Sequence, residues 1–204
     1  MSFIDALKFR HACKQFDTSK QISSENKHLI LESARLSPSS FGLEPWKFIA
    51  ISNNDIREKL KPACWNQNQI TSSAFIVLCL SYLPHHFRGK TDFLKQRVGR
   101  KVSGEMLDNY LNIIVSYLAM QNTQEWAKRQ VYIPMANMMT GAATLGIDSC
   151  PMEGFEIEKI HPILNEIIDW NEFDLTTIIA FGYRLNPQPG QVRETAASVI
   201  QYLD

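Results

Sequence analysis

The sequence predicts an α+β fold, with helices packed around a modest mixed sheet, in one continuous domain over 1–204. Three observations lead there. Apolar runs of strand length at 46–52, 74–81 and 176–183 are separated by long stretches with helical periodicity. Hydrophobic residues make up 45% and charged residues 21% of the chain, enough to build a single core. No internal repeat, low-complexity tract or flexible linker divides it.

Taken in order, residues 3–9 form a short helix. Residues 24–36 follow the Ser23-Ser24 cap, carry Leu29, Ile30, Ala34 and Leu36 in a helical stripe, and stop before Pro38. Residues 46–52 alternate as a strand, and 54–61 form a short helix. Residues 74–81 are apolar throughout, which suggests a strand covered on both faces. Residues 91–121 are mostly helical with loops. Residues 124–145 are apolar nearly all round (Trp126, Val131, Ile133, Met135, Met138, Met139, Ala142, Leu145), as in a central helix or one shared with a partner subunit. Pro134 interrupts it with an expected kink, at a cost of about 3 kcal/mol. Gly146 ends it. Residues 155–168 are helical apart from a break at Pro162, and 176–183 form another apolar strand. The last twenty residues, with Pro187, Pro189 and Gly190, form an extended tail ending in a strand or helix.

Charge and motifs exclude several classes of function. Lys and Arg number 21 against 21 Asp and Glu, so no positive surplus exists for non-specific nucleic-acid or polybasic membrane binding. The longest apolar stretch, Ala74 to Leu80, is far short of the roughly 18 residues a bilayer span requires. The N-terminus has a carboxylate early, at Asp5, and does not read as a signal peptide. Cys13, Cys64, Cys79 and Cys150 are scattered, without a C-x-x-C, and read as reduced thiols of a cytoplasmic protein. There is no G-x-G-x-x-G, no P-loop, no H-E-x-x-H and no G-x-S-x-G. The five histidines lack ligand spacing. The adjacent pair His85-His86 follows Pro84 in a polar loop and is read as solvated, so no metal is expected. Any catalysis is then the work of a bound cofactor.

Five constellations remain. Arg10-His11-Ala12-Cys13-Lys14 sets two permanent cations four residues apart, either a grip for an anion or a solvated basic turn. Ser37 to Trp46, with Pro38, Ser39, Ser40, Phe41 and Pro45, is a rigid loop rich in donors, or simply a helix-to-strand connection. Trp65-Asn66-Gln67-Asn68-Gln69 offers paired donors and acceptors suited to the edge of a flat heterocycle, or makes a polar turn. Cys150-Pro151-Met152-Glu153-Gly154-Phe155 ends near a glycine that permits close backbone approach. Arg193 in the tail is a surface arginine or a second anion ligand.

Their order and spacing resemble the FMN-dependent nitroreductase family, closest to its oxygen-insensitive NAD(P)H nitroreductase branch. The match runs from Arg10-His11-x-x-Lys14-x-Phe16-Asp17 through Ser37-Pro38-Ser39-Ser40 and Glu44-Pro45-Trp46 to Trp65-Asn66-Gln67-x-Gln69. It continues with Trp126-Ala127-x-x-Gln130-x-Tyr132-Ile133, Leu145 to Phe155 and Phe181-Gly182-Tyr183-Arg184. The resemblance implies a three-layer fold and a domain-entwined homodimer with FMN at the interface. It implies NAD(P)H as donor and a nitroaromatic, quinone or other small aromatic acceptor, in ping-pong exchange through flavin N5. By the same resemblance Arg10 and Arg193 bind the FMN phosphate. Ala12 stands where the family usually has Ser, and Gln191 where many members have Lys. His11 lies within the same segment. Lys14 and Asn66 face the pyrimidine end of the flavin, with Gln69 where some members place Lys. Pro38, Ser39 and Ser40 reach the flavin from the other subunit. Pro151, Met152, Glu153 and Gly154 line one flavin face, with the Glu153 N–H near N5. Phe41, Trp65 and Tyr110 are candidates to stack on a flat acceptor. The superfamily also includes pteridine reductases, dehalogenases and flavin destructases, and a non-catalytic FMN-binding dimer is the reading from a different class.

Overall fold

The computed structural model describes residues 1–203. Along the chain these form α1 (Phe3–Phe9), α2 (Ser24–Arg35), β1 (Trp46–Ile51), α3 (Asn54–Ala63), α4 (Gln69–Ser72) and β2 (Phe75–Tyr82). Then come α5 (Asp92–Gly99), α6 (Gly104–Ala119), α7 (Thr123–Thr144), β3 (Asp148–Met152), α8 (Ile157–Leu164), β4 (Phe173–Gly182) and α9 (Ala196–Val199). Local chemistry starts the helices where the sequence indicates. The Ser23 hydroxyl accepts from the Asn26 N–H at 3.1 Å, and Asn53, Thr91 and Asn122 cap α3, α5 and α7 in the same way. Gly146, at φ +72°, closes α7: its N–H reaches Ala143 O at 3.0 Å and the Ile147 N–H reaches Ala142 O at 2.9 Å.

The sheet has the order β1-β2-β4-β3. It is not mixed in the expected way, because all three ladders are antiparallel. β2 and β3 do run in the same direction, but β4 inserts between them, so the long crossover through α5, α6 and α7 creates no parallel ladder. Parallel pairing is confined to an isolated bridge between Ala12 and Ser149.

β2 is covered on both faces, as its uniformly apolar sequence requires. Phe75, Val77 and Cys79 pack with Ile179 and Phe181 against Ile30 and Ala34 of α2 and Val131, Met138 and Ala142 of α7. On the opposite face Ile76, Leu78 and Leu80 pack with Ile178 and Ala180 against Leu60 of α3 and Ile160 and Leu164 of α8. Each fully buried Leu, Ile, Val or Phe contributes about 1.5–3 kcal/mol relative to exposure. A third cluster, built by α5, α6 and Trp126, caps one end. The result is helix, sheet and helix in three layers.

Several boundaries differ from the sequence reading. α7 runs uninterrupted through Pro134, which is buried. The missing N–H frees one carbonyl, that of Gln130, in a 22-residue helix capped at both ends and docked along the sheet. Its surface is not apolar all round: Lys128 pairs with Asp174 of β4 at 2.9 Å, and Asn137 donates to the Ser37 hydroxyl at 2.8 Å. α8 likewise passes Pro162 without a break and ends at Leu164. The 91–121 stretch is helical with a loop, as expected: α5 ends at Gly99 and α6 starts at Gly104, whose φ is +60°. Two elements go unread in the sequence: the single turn α4, and β3, whose short run contains Pro151 and whose one strand partner among the described residues is β4, as an edge strand allows.

Candidate functional site

The segment after α1 lies along the β3 edge. Ala12 bridges to Ser149, and the Cys13 N–H donates to Ser149 O at 3.0 Å. Arg184, at the exit of β4, locks this junction. Its Nε and its backbone N–H each donate to Asp148 Oδ2 at 3.0 Å, and its guanidinium lies 4.3 Å from the Phe9 ring centroid. Only 2% of the Asp148 side chain is exposed, so this pair ties three segments together from within the structure.

That register places Lys14 beside β3. Its ammonium donates to Cys150 Sγ at 3.5 Å and makes no ion pair with a carboxylate among the described residues. Burial pushes the Cys150 thiol up, partly offset by Lys14 and Gln69. The Gln69 amide donates to Gln67 Oε1 at 2.8 Å, and the Gln67 amide donates to Gly154 O at 2.8 Å. Above Gly154 sits the Trp65 ring, so close that a Cβ at position 154 would lie 2.6 Å from it. Glycine is required here by that approach. Trp65 and Asn66 both hold positive φ, +55° and +54°. Backbone strain of this kind costs on the order of 1–3 kcal/mol per residue and tends to persist at binding sites. The turn is held by the Asn66 N–H to Lys61 O at 3.0 Å and the Gln67 N–H to Cys64 O at 3.1 Å.

The Glu153 backbone N–H makes no hydrogen bond among the described residues, which leaves it free as a donor. Its side chain accepts from the Tyr132 hydroxyl of α7. Burial, then this bond, pushes the Tyr132 phenol up to about 12.

Arg10, Gln191 and Arg193 form a second group. Gln191 Nε2 donates to Leu7 O at 2.8 Å and to Arg10 O, binding the tail to the end of α1. Its amide is therefore engaged as a strut. Burial lowers the Arg10 guanidinium, and the Arg193 charge lowers it further. Neither arginine pairs with a carboxylate among the described residues. Arg10 Nε and His11 Nε2 are buried without partners, while His11 Nδ1 lies 2.9 Å from Phe9 O. Two neighbouring cations without a carboxylate partner among the described residues, one of them with a buried Nε that has no acceptor, suit an anion. Ala12 is exposed and offers no hydroxyl.

Pro38, Ser39, Ser40, Phe41 and Tyr110 stand elsewhere. Ser40 N–H donates to Gln130 Oε1 at 2.9 Å, and the Ser39 hydroxyl accepts from the Glu44 N–H at 2.8 Å. Phe41 meets Tyr110 and Tyr117 edge-on at 6.3 and 5.2 Å between centroids. These contacts run to α6 and α7 rather than to the Lys14 group. A polar cleft of about 720 Å³, lined by Lys20, Lys27 and Arg57, also contains none of the Lys14 or Arg10 residues.

The Nitroreductase family model matches residues 7–183. The chain belongs to the nitroreductase family. A Staphylococcus haemolyticus protein with the provisional name NAD(P)H nitroreductase is 40% identical, covering 99% of this chain and 97% of its own. Among solved structures, a provisionally named nitroreductase of Bacillus subtilis superposes with a TM-score of 0.83 at 25% identity, over 98% of each chain. A structure from Exiguobacterium sibiricum, described as a complex with FMN, superposes with a TM-score of 0.82 at 20% identity, over 100% of this chain and 98% of that one.

Within this nitroreductase-family chain, sequence reasoning includes Gln67 and Cys150 in candidate constellations and Tyr132 in a family motif but gives none of the three a role. Tyr132 and Gln67 stand inside recognisable motifs, yet their partners are known only once α7 and β3 are placed. The Asp148–Arg184 pair joins residues 36 positions apart and leaves no local signal.

Proposed function

We propose that the chain is an FMN-dependent NAD(P)H oxidoreductase that reduces nitroaromatics or quinones, in ping-pong fashion, as a cytoplasmic homodimer. The observation that carries this is a set of three cations, Arg10, Arg193 and Lys14, none of them paired with a carboxylate among the described residues. The residues fit the cofactor in kind: two arginines for a phosphate, then a lysine, two carboxamides (Asn66 and Gln69) and a free backbone donor for a polar heterocycle. FMN when bound supplies an N5 centre that takes hydride from the nicotinamide and gives it to the acceptor.

The chain's own groups position and polarise. Arg10 and Arg193 hold the phosphate, while Gln191 braces the tail that carries Arg193. Lys14 sets a positive charge where negative charge collects on reduction. The Glu153 N–H, free at the end of β3, would be the donor to the flavin ring, and the Tyr132–Glu153 side-chain bond holds that residue in place. Pro151, Met152 and Gly154 form one wall, and Trp65 overhangs it. Pro38, Ser39 and Ser40 of the partner subunit close the opposite side, which agrees with the Ser40 contact to Gln130 of α7 rather than to the Lys14 group. Phe41 and Tyr110 flank the acceptor. With no nucleophile needed, donor and acceptor take turns in one place. Chromatography of the chromophore released from purified protein, with turnover assayed on a nitroaromatic and a quinone, tests this. FMN and turnover are expected; FAD as the main species, or a protein that takes up no flavin, contradicts it.

A further inference from the structure

A second cluster lies outside this site. His85 and His86 occupy a 3₁₀ turn, Pro84–Phe87, and Glu172 stands in the turn leading into β4. The Leu83 N–H donates to Glu172 O at 3.0 Å, so the two segments are already fastened by backbone. Glu172 then turns one oxygen to each imidazole. Oε2 lies 2.8 Å from His86 Nε2, and Oε1 lies 3.6 Å from His85 Nε2. The ligand atoms of the three residues all lie within 4.8 Å of one another, the one group of its kind among the described residues.

His85 is exposed, as its sequence context suggests, but His86 is not. The His86 side chain is 13% exposed, and its ring is wedged edge-on against Tyr82 at 4.8 Å and Phe93 at 5.4 Å. The Thr91 hydroxyl fixes the His86 carbonyl at 2.5 Å. His86 Nε2 is shielded from solvent and has the Glu172 carboxylate as its neighbour at 2.8 Å. Imidazole and carboxylate are thus already gathered where one cation could be shared between them. Beside it opens a cleft of about 620 Å³, lined also by Asp92 and Gln96, which gives access from solvent and room for water ligands.

We propose that His85, His86 and Glu172 form a binding site for a divalent zinc-type cation, which clamps the Pro84–Phe87 turn to the start of β4. Two imidazoles and one carboxylate are a borderline donor set, suited to zinc, nickel or copper and poor for magnesium or calcium, which take oxygen ligands. Zinc bonds of about 2.0–2.2 Å require only that these side chains close in slightly, with water completing the shell. The inference does not depend on the flavin reading.

Chelator-treated purified protein is titrated with zinc chloride by calorimetry, and a parallel sample is titrated with magnesium. One zinc per chain is expected with a Kd on the order of 1 μM, with no saturable magnesium binding. His86→Ala and Glu172→Gln are each expected to weaken zinc at least tenfold. His85→Ala alters a half-exposed ring, keeps the proposal testable should a buried variant misfold, and is expected to weaken zinc similarly. Cobalt substituted for zinc should show visible ligand-field bands without thiolate charge transfer, which separates this site from the cysteines. No saturable zinc binding, equal magnesium binding, a thiolate spectrum, or zinc affinity unchanged in the His85→Ala variant would overturn the proposal.

Discussion

Replacing Lys14 with methionine probes the proposed flavin site through its redox potential. The methionine keeps the length of the side chain and removes its charge. Lys14 pairs with no carboxylate among the described residues, and its ammonium donates to the Cys150 thiol at 3.5 Å. Its field is therefore available to a ligand lying along β3. At an effective dielectric near 20, a charge pair at about 4 Å interacts by roughly 4 kcal/mol. The lysine is exposed, so solvent screening reduces this to about 1–2 kcal/mol. Since roughly 30 mV corresponds to 1.4 kcal/mol for a two-electron couple, the shift is about 20–45 mV. Its sign follows from charge: the cation favours the more negative reduced state, so its loss makes the midpoint potential more negative. The assay is a spectroelectrochemical titration of wild type and Lys14→Met, both saturated with FMN. An unchanged or more positive potential with FMN still bound refutes the reasoning and returns Lys14 to the solvated surface.

Arg10→Ala should weaken FMN about ten- to a hundredfold, read by fluorescence titration of the apoprotein, with the circular dichroism spectrum unchanged. Tyr132, pushed up to about 12, is protonated preferentially in the folded state, so its contribution to stability is complete below about 10 and is lost as pH rises through about 12. An ultraviolet phenolate titration should show one late tyrosine that disappears in Tyr132→Phe, and denaturant midpoints of wild type should fall faster than those of the variant across that window. Arg184→Ala leaves the buried Asp148 carboxylate without its cation and should cost about 3–5 kcal/mol by urea unfolding, part of which Asp148→Asn restores in the double variant.

What was legible in the sequence follows from how local each signal is. β2 could be read because every residue from Phe75 to Leu80 is apolar, and the structure buries it between two cores. The α2 start was legible because Ser23 caps its own helix. Pro134 misled because a single missing N–H was weighed without the tertiary packing of α7 that outweighs it. β3 was hidden because a five-residue edge strand containing proline carries almost no periodicity, and it is defined by pairing with β4. The site shows the same division. Arg10, Lys14 and Gly154 could be named from residue type and order. The contacts joining Lys14 to Cys150, Gln67 to Gly154 and Tyr132 to Glu153 depend on long-range placement. Glu172 faces a histidine pair from a distant turn, so the sequence offered no reason to connect them.

The central claim is that this nitroreductase-family chain passes reducing equivalents from a nicotinamide to an aromatic acceptor through bound FMN. It is tested most directly by mixing the yellow holoprotein with NADH or NADPH in the absence of oxygen, then adding a nitroaromatic or a quinone. The account predicts bleaching of the flavin absorbance by at least one nicotinamide and its return on addition of acceptor, in two separable steps. A flavin-bound protein that neither nicotinamide bleaches would contradict it and identify the chain as a flavin-binding protein without this activity.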